Sequence, residues 1–481
     1  MAYKRQSSKK VKSGCTTCKR CSGYEIIRVA QPTNTTRDGT QLRWVRPALQ
    51  APYHSDKEKS AFLSFQSHVL QGLIGLFDSR VWSSHVLPIA ASEPSVRHSV
   101  IALGCLQLYR HHADEADLQE LALQHYGKAV HTLRCGMMRP ERTSAQLCLV
   151  ACLLFVVFEF QQHNWEMGLI HLQSGIELIK EIDPTSKKSS TLPKRPLEPL
   201  KEAFGRLDIQ TCLFTSRQIQ LVPAAEHAIM PQLPALSSFS NVQEASQLLE
   251  ILLVAMQELT RAVKEQMTPS EDLSADVHAD LQIQLTRQLV SLARWQQSMD
   301  TLWATLSSNQ DRQAAKVLQV QHLSCKLVVS NSLSNGNESL WDGFLDDFTQ
   351  LLGYAEDFII MASTADKDSP AFTLDIGVIP ALYFTAIKCR DPLLRRHATT
   401  LLRKCKSQEG PWYGPQQAQL AEQVIRLEES GLGEITKALQ VPESSRLYQA
   451  WYDLRKNSRT LYCKRRCLEE DGRWVESVKV V

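Results

Sequence analysis

A helical spacing of apolar residues runs through the sequence from Asp56 onward and constrains the fold more than any other feature. Apolar side chains recur there at intervals of three and four residues, which places them on one face of an α-helix. The most apolar segment, from Leu147 to Phe158, carries no charge, as is typical of a helix covered on several sides. No alternating strand pattern of useful length appears before the last residues. We therefore predict an all-α fold.

Prolines, glycines and polar turns divide this pattern into separate helices. The predicted helices cover residues 57–75, 117–134, 165–182, 200–217, 241–265, 281–307, 312–331, 341–361, 381–388, 392–406 and 416–431. Two more are predicted to begin at residues 92–94 and at Ser144, where a serine can cap the first turn. A late segment near 447–455 is expected to complete the helical pattern, and residues 473–481 to form a short extended tail.

Changes in composition divide the chain into four parts. Residues 1–24, here called the N-terminal arm, are basic and rich in cysteine. Residues 25–55 have mixed polarity with three prolines and are predicted to be a linker. We predict one large helical regulatory domain over 56–455 and a C-terminal tail over 456–481, and we expect the arm to be mostly disordered.

The overall composition is that of an ordinary globular protein with nearly balanced charge. Of 481 residues, 43% are hydrophobic and 22% charged, and the formal net charge is +3. Any affinity for nucleic acid must therefore be local. The 13 cysteines are odd in number and most lie in apolar helical segments, as free thiols do in a reducing compartment. The longest apolar run is too short to span a bilayer comfortably, so we expect no membrane contact.

The N-terminal arm combines thiols with positive charge. Two residues separate Cys15 from Cys18, and Cys21 follows; the first spacing lets both sulfurs reach one tetrahedral zinc ion. A closed zinc site takes four ligands, and the arm supplies three. We predict Cys15, Cys18 and Cys21 as metal ligands, with an incomplete ligand set for zinc. Basic neighbours that would attract phosphate are predicted to contact DNA: Lys9, Lys10, Lys12, Lys19 and Arg20.

The two ends of this cysteine segment resemble the opening and the close of the metal cluster in the fungal zinc binuclear-cluster transcription factors. Residues 14–19, Gly-Cys-Thr-Thr-Cys-Lys, resemble the opening, and residues 20–24, Arg-Cys-Ser-Gly-Tyr, resemble the close. The remaining three cysteines of that family and most of its basic loop have no counterpart here. A deleted exon, a wrongly predicted intron and true loss of the cluster would each give this pattern.

Three helical segments resemble the regulatory region that follows the cluster in the same family: residues 77–104, 204–210 and 380–396. The resemblance implies an all-helical, non-enzymatic domain that regulates transcription. We therefore expect a nuclear regulator of RNA polymerase II type, with DNA, transcriptional co-regulators and a second copy of the chain as candidate partners. The alternative is a protein-interaction or co-regulator module without direct sequence-specific DNA binding. A helical enzyme or small-molecule binder is a third, for which no catalytic motif is found.

Several polar residues of the helical domain are candidates for a functional role. His98 does not belong to a His-Glu-x-x-His arrangement, so we predict an ordinary helix histidine. Cys463 and Cys467 are predicted to be ordinary core or surface cysteines rather than a metal pair. Arg97 and the segment 206–208 are expected to form buried or half-buried ion pairs that hold helices in register, with ligand sensing as the alternative.

Overall fold

A computed structural model defines the fold over most of the chain. It describes residues 55–77, 81–111, 116–138, 144–182, 197–215, 238–266, 275–334, 336–364, 371–452, 461–468 and 474–480. The N-terminal arm and the predicted linker up to residue 54 lie outside the described residues. Helices dominate the described part, which confirms the predicted all-α class.

The helices follow the predicted pattern closely. The first eight are α1 (Asp56–Ser64), α2 (Leu70–Ile74), α3 (Leu87–Ser92), α4 (Pro94–His111), α5 (Ala116–Met137), α6 (Ala145–Gln161), α7 (Trp165–Ile182) and α8 (Glu198–Thr215). The others are α9 (Val242–Gln266), α10 (Ala275–Trp303), α11 (Asn309–Ser330), α12 (Leu345–Thr364), α13 (Ile379–Lys388), α14 (Pro392–Lys404) and α15 (Gly414–Glu429). A π-helical turn joins α1 to α2, and a 3-10 turn, Glu338–Phe344, precedes α12.

The described chain divides into two compact units. The N-terminal unit takes residues 55–65 and 83–200, and the C-terminal unit takes residues 66–82 and 201–480. The single regulatory domain predicted over 56–455 thus includes parts of two such units, the second of which runs on to the end of the described residues, and the domain boundaries stay a prediction.

In the N-terminal unit, α6 is the central helix. Nearly all its side chains from Leu147 onward are buried, as the uncharged apolar run predicted. Its start is also as predicted, because the Ser144 hydroxyl accepts a hydrogen bond from the Leu147 N–H at 3.1 Å. Gly168 of α7 lies so close to α6 that a side chain there would collide with the ring of Phe160. The glycine therefore allows α7 to pack directly onto α6.

In the C-terminal unit, long helices are joined by hydrogen bonds across a large apolar core. Trp295 of α10 donates its indole N–H to the Ala245 carbonyl of α9 at 2.9 Å, and Gln288 donates to Leu252 at 3.0 Å. His322 of α11 stacks on Trp295 and meets the Leu292 carbonyl at 2.9 Å. These bonds satisfy polar atoms that burial would otherwise leave without partners.

Strands occupy the end of the chain, where the sequence predicted a helix near 447–455 and a short extended segment over 473–481, and the second prediction agrees with a strand at Trp474–Val480. The short β1 (Phe372–Thr373) and β2 (Gln408–Glu409) pair in parallel. An antiparallel sheet follows, with order β3 (Leu447–Tyr452), β4 (Leu461–Leu468) and β5 (Trp474–Val480). The helical prediction near 447–455 is therefore wrong. The backbone there is fixed by pairing with β4 and by buried side chains of distant helices, neither of which local periodicity reveals.

Gly104 provides a sharp test of the packing in the N-terminal unit. A side chain at this position of α4 would collide with the backbone carbonyl of Ala61 in α1. We expect Gly104→Ala to lower the free energy of unfolding by about 3 kcal/mol, because backbone atoms must move apart. Urea unfolding followed by circular dichroism measures this change.

Gly127 is the matched control, because it lies exposed in α5 with open space around it. Gly127→Ala should stabilise the chain by about 0.5–1 kcal/mol through the higher helix propensity of alanine. Equal effects of the two substitutions would contradict the close contact between α1 and α4.

Candidate functional site

The side chains predicted to bind metal and DNA all belong to the N-terminal arm. They are Cys15, Cys18, Cys21, Lys9, Lys10, Lys12, Lys19 and Arg20. All lie outside the described residues, so the metal site and the DNA contacts stay predictions. In the described part of the chain, charged and polar side chains gather in buried clusters.

The largest cluster lies in the C-terminal unit and consists of Glu338, Lys388, Arg390, Arg395 and Glu428, here called the ionic centre. Arg390 bridges the two carboxylates, with 2.8 Å to Glu338 and 2.8 Å to Glu428. Arg395 meets the other oxygen of Glu428 at 2.7 Å, and Lys388 meets Glu338 at 2.7 Å. The side chains of Arg390, Arg395 and Glu428 are completely buried. Each buried charge is thus paired, as burial demands.

The ionic centre also holds the first strand of the terminal sheet. Glu428 accepts the backbone N–H of Leu447 at 2.7 Å, and Arg390 donates to the Leu447 carbonyl at 3.1 Å. Lys388 donates to the next carbonyl, that of Tyr448, at 2.9 Å. The backbone N–H and the backbone carbonyl of Leu447, in β3, thus both bond to side chains of the ionic centre. These bonds explain why this segment is extended.

The electrostatics of the ionic centre keep its carboxylates charged. Burial alone would raise the pKa of Glu428, but the positive charges of Arg390 and Arg395 and the Leu447 N–H lower it to about 2. For Glu338, burial again opposes ionisation, and Lys388 and Arg390 outweigh it, so the pKa falls below its usual value. The cluster is therefore a closed set of ion pairs whose chemical role is to join elements.

A second cluster joins three helices of the N-terminal unit. The Tyr126 hydroxyl of α5 donates to Glu159 of α6 at 2.6 Å, and Asn164 donates to the other carboxylate oxygen at 2.7 Å. His171 of α7 meets the Tyr126 oxygen at 3.1 Å. Burial raises the pKa of Glu159, while the bonds from Tyr126 and Asn164 pull it back. Burial lowers the pKa of His171 to about 4, so its imidazole is neutral near pH 7.

These residue types also occur in acid–base catalysis, but their surroundings favour a structural role. Tyr126 stacks on Phe158, with ring centroids 4.2 Å apart, and meets Phe155 edge to face. The polar atoms are thus enclosed by aromatic rings and bonded to each other. We find no third reactive group directed at them in the described part of the chain.

His98 belongs to a polar contact that the sequence did not indicate. Its Nδ1 lies 3.0 Å from Nδ1 of His125 in α5, and Nε2 of His125 lies 3.4 Å from Glu58 in α1. Burial, followed by the nearby His98, lowers the pKa of His125 to about 4. The three side chains therefore link α1, α4 and α5. Their separation along the chain left no local signal from which the contact could be predicted.

Arg97 and Arg206, for which ion pairs are predicted, have different partners. Arg206 of α8 lies 4.0 Å from Glu250 of α9, a half-buried ion pair that joins two helices as predicted. Arg97 instead donates to the Ala91 carbonyl at 3.1 Å, which caps the end of α3, and it forms no ion pair with any residue that the structure describes. Asp208 is buried and accepts a weak hydrogen bond from the Cys212 thiol at 3.9 Å.

Several of the described cysteines behave as apolar residues. Cys105, Cys212, Cys325 and Cys463 are buried. Burial raises the pKa of the Cys105 and Cys152 thiols to about 12 and that of Cys148 to about 11, so all three are protonated at neutral pH. Among the described residues, no three His, Cys, Asp or Glu side chains gather as a metal site. Across the same ranges no helix is both long and apolar enough to cross a membrane.

Comparison with known proteins identifies the class of protein to which this chain belongs. Residues 62–339 match the family model of the fungal specific transcription factor domain. The chain therefore belongs to this family of fungal transcription regulators. The segments 77–104 and 204–210 lie inside the matched range, whereas 380–396 lies beyond it.

One curated relative is the aspercryptin biosynthesis cluster-specific transcription regulator of Emericella nidulans. It is 20% identical over an alignment that covers 92% of this chain and 85% of the relative. No solved structure matches the chain. The family and the relative are transcription regulators, a class that generally has no enzymatic activity.

Glu428 is the residue on which the ionic centre depends most. We expect Glu428→Gln to lower the free energy of unfolding by about 3–5 kcal/mol, because it leaves Arg390 and Arg395 buried without full compensation. The control is Glu422→Gln, which breaks a pair with the exposed Arg403 and should cost about 1 kcal/mol or less. Guanidinium unfolding measures both, and similar losses would contradict the role assigned to Glu428.

The low pKa of His171 predicts a loss of stability in acid. The folded state binds the proton with a pKa of about 4, against an ordinary histidine pKa of 6.5. The unfolded chain therefore holds more protons between these values, so stability falls as the pH drops from 6.5 towards 4. His171→Gln should reduce the slope of unfolding free energy against pH in this window. An unchanged slope would show that His171 titrates normally.

Proposed function

We propose that this chain is a nuclear transcription regulator of RNA polymerase II genes that acts through its helical units. The observation that carries the proposal is the family match over residues 62–339. The buried clusters agree with it, because their polar side chains bond to each other and join helices. Regulation then takes place at exposed surfaces, where partners bind.

The N-terminal arm gives the regulator a weak affinity for DNA. Its five basic residues neutralise phosphates, which supplies non-specific, salt-sensitive binding. Base reading needs an element positioned in a groove, and the segment that would supply it in zinc-cluster factors has no counterpart here. Cys15, Cys18 and Cys21 offer one tetrahedral ion three of its four ligands. We therefore propose at most one loosely bound zinc ion.

A second candidate is a co-regulator that binds other transcription proteins and reaches DNA through them. The incomplete cysteine set favours this candidate, since sequence-specific binding is then supplied by a partner. Both candidates place regulation in the helical units. They differ in whether the purified chain selects a DNA sequence by itself.

The named relative suggests a class of target genes. Because that protein is a biosynthesis cluster-specific regulator, we propose that this chain also controls a biosynthetic gene cluster. Transcript profiling of a deletion strain tests the proposal. Coordinated change of one contiguous set of genes supports it, and scattered changes argue against it.

Gel shift over a salt series tests the DNA-binding proposal. We expect a Kd of about 10⁻⁴–10⁻⁶ M near physiological salt with little preference among sequences. Replacing the five arm residues Lys9, Lys10, Lys12, Lys19 and Arg20 with Ala should remove most of this binding. It should also flatten the salt dependence by about one unit of slope per lost phosphate contact.

The control for this experiment removes the same number of charges elsewhere. Five exposed lysines of the helical units serve the purpose: Lys59, Lys128, Lys264, Lys404 and Lys406. Their replacement with Ala should leave most of the binding intact. Nanomolar, sequence-selective binding by the unmodified chain would contradict the proposal, as would two tightly held zinc ions per chain in elemental analysis.

A further inference from the structure

The longest helix of the C-terminal unit, α10, exposes apolar residues on the side facing away from the core. Its inner side packs into the core through residues such as Leu285 and Leu292. On the outer side, Ile283 is 49% exposed and Val290 is 46% exposed, although large aliphatic side chains are normally buried. The two are seven residues apart, so they lie on one line along the helix.

These two residues belong to a continuous stripe. Exposed residues follow one another along α10 at alternating intervals of four and three. They are Ala279, Ile283, Thr286, Val290, Ala293 and Gln297, here called the α10 seam. This is the spacing of the a and d positions of a coiled coil. Small residues alternate with the two large ones, which lets a second helix approach closely.

Charged residues follow one flank of the α10 seam. Asp280, Arg287 and Arg294 are exposed, and each comes directly after a small residue of the seam. Gln284 donates a hydrogen bond to Asp280 at 2.7 Å. Neither arginine forms an ion pair within the part of the chain that the structure describes. The flank is thus acidic near the start of α10 and basic further along.

A second α10 helix in antiparallel orientation fits this pattern. It places Ile283 against Ala293 of the other copy and Val290 against Thr286, so every such layer combines a large residue with a small one. The same arrangement brings Asp280 near Arg294 of the other copy, twice by symmetry. Arg287 lies near the twofold axis, where solvent screens its repulsion with its own copy. Parallel pairing would instead place identical seam residues in the same layer, large against large and small against small, and would separate Asp280 from Arg294 of the other copy.

We propose that the α10 seam binds a second copy of this chain in antiparallel, twofold packing. A single helix pair of about five turns buries an area at the low end of specific interfaces. The dimer is therefore concentration-dependent, with a Kd of about 1 μM. This dimer surface is independent of the DNA-binding proposal, since it involves neither the N-terminal arm nor zinc.

Sedimentation velocity of the full chain over a series of concentrations tests the apolar part of the surface. The wild-type chain should shift from monomer to dimer, and Ile283→Glu with Val290→Glu should stay monomeric. Leu439→Glu is the control, because Leu439 is also exposed, at 79%, but lies outside α10. That variant should dimerise like the wild type. Circular dichroism and melting curves show whether each variant is folded.

Charge exchange tests the antiparallel orientation with substitutions at exposed positions, which leave the core unchanged. Asp280→Arg and Arg294→Asp should each weaken dimerisation by about tenfold, and the two together should restore it. A failure of the double variant to recover overturns the antiparallel arrangement. A wild-type chain that is monomeric throughout overturns the proposal, as does a dimer that survives the Ile283 and Val290 substitutions. If the α10 seam binds a different protein instead, the wild-type chain stays monomeric at every concentration, which overturns the proposal.

Discussion

The C-terminal unit depends on the pairing of two completely buried guanidinium groups with one buried carboxylate. Arg390 and Arg395 share Glu428, and Glu338 and Glu429 add the negative charge that one carboxylate cannot supply to two guanidinium groups. Such a cluster is stable only when every member is present, because a buried charge without a partner is far more costly than an exposed one. The end of α13, the start of α14, the end of α15 and the strand β3 are thereby fixed by one set of contacts.

Both units place reactive residue types where they hold helices together. The Tyr126, Glu159 and His171 cluster joins α5, α6 and α7, just as the ionic centre joins elements of the C-terminal unit. In each case the buried charged and polar side chains bond mainly to each other. We accordingly propose that this family member acts through surfaces, with the basic arm binding phosphate and the α10 seam binding a second copy.

The family resemblance and the structure divide the chain differently. The matched range ends at residue 339, directly after Glu338, so most of the ionic centre lies beyond it. Yet the segment 380–396, which resembles the same regulatory region in sequence, supplies Lys388, Arg390 and Arg395. The physical reason for its arginines is now clear. They compensate carboxylates from distant parts of the chain and position a strand, which a sequence pattern of basic residues does not reveal.

The sequence by itself determined the fold class and most helix positions, because helical periodicity and capping act over a few residues. The helix 165–182 forms over those residues, and Ser144 caps α6 as predicted. Only the tertiary structure decided that Leu447 begins a strand, that His98 meets His125, and which apolar stripe of α10 stays exposed. Those outcomes depend on partners far away in the chain, and a local pattern carries no information about which distant residues will be buried together.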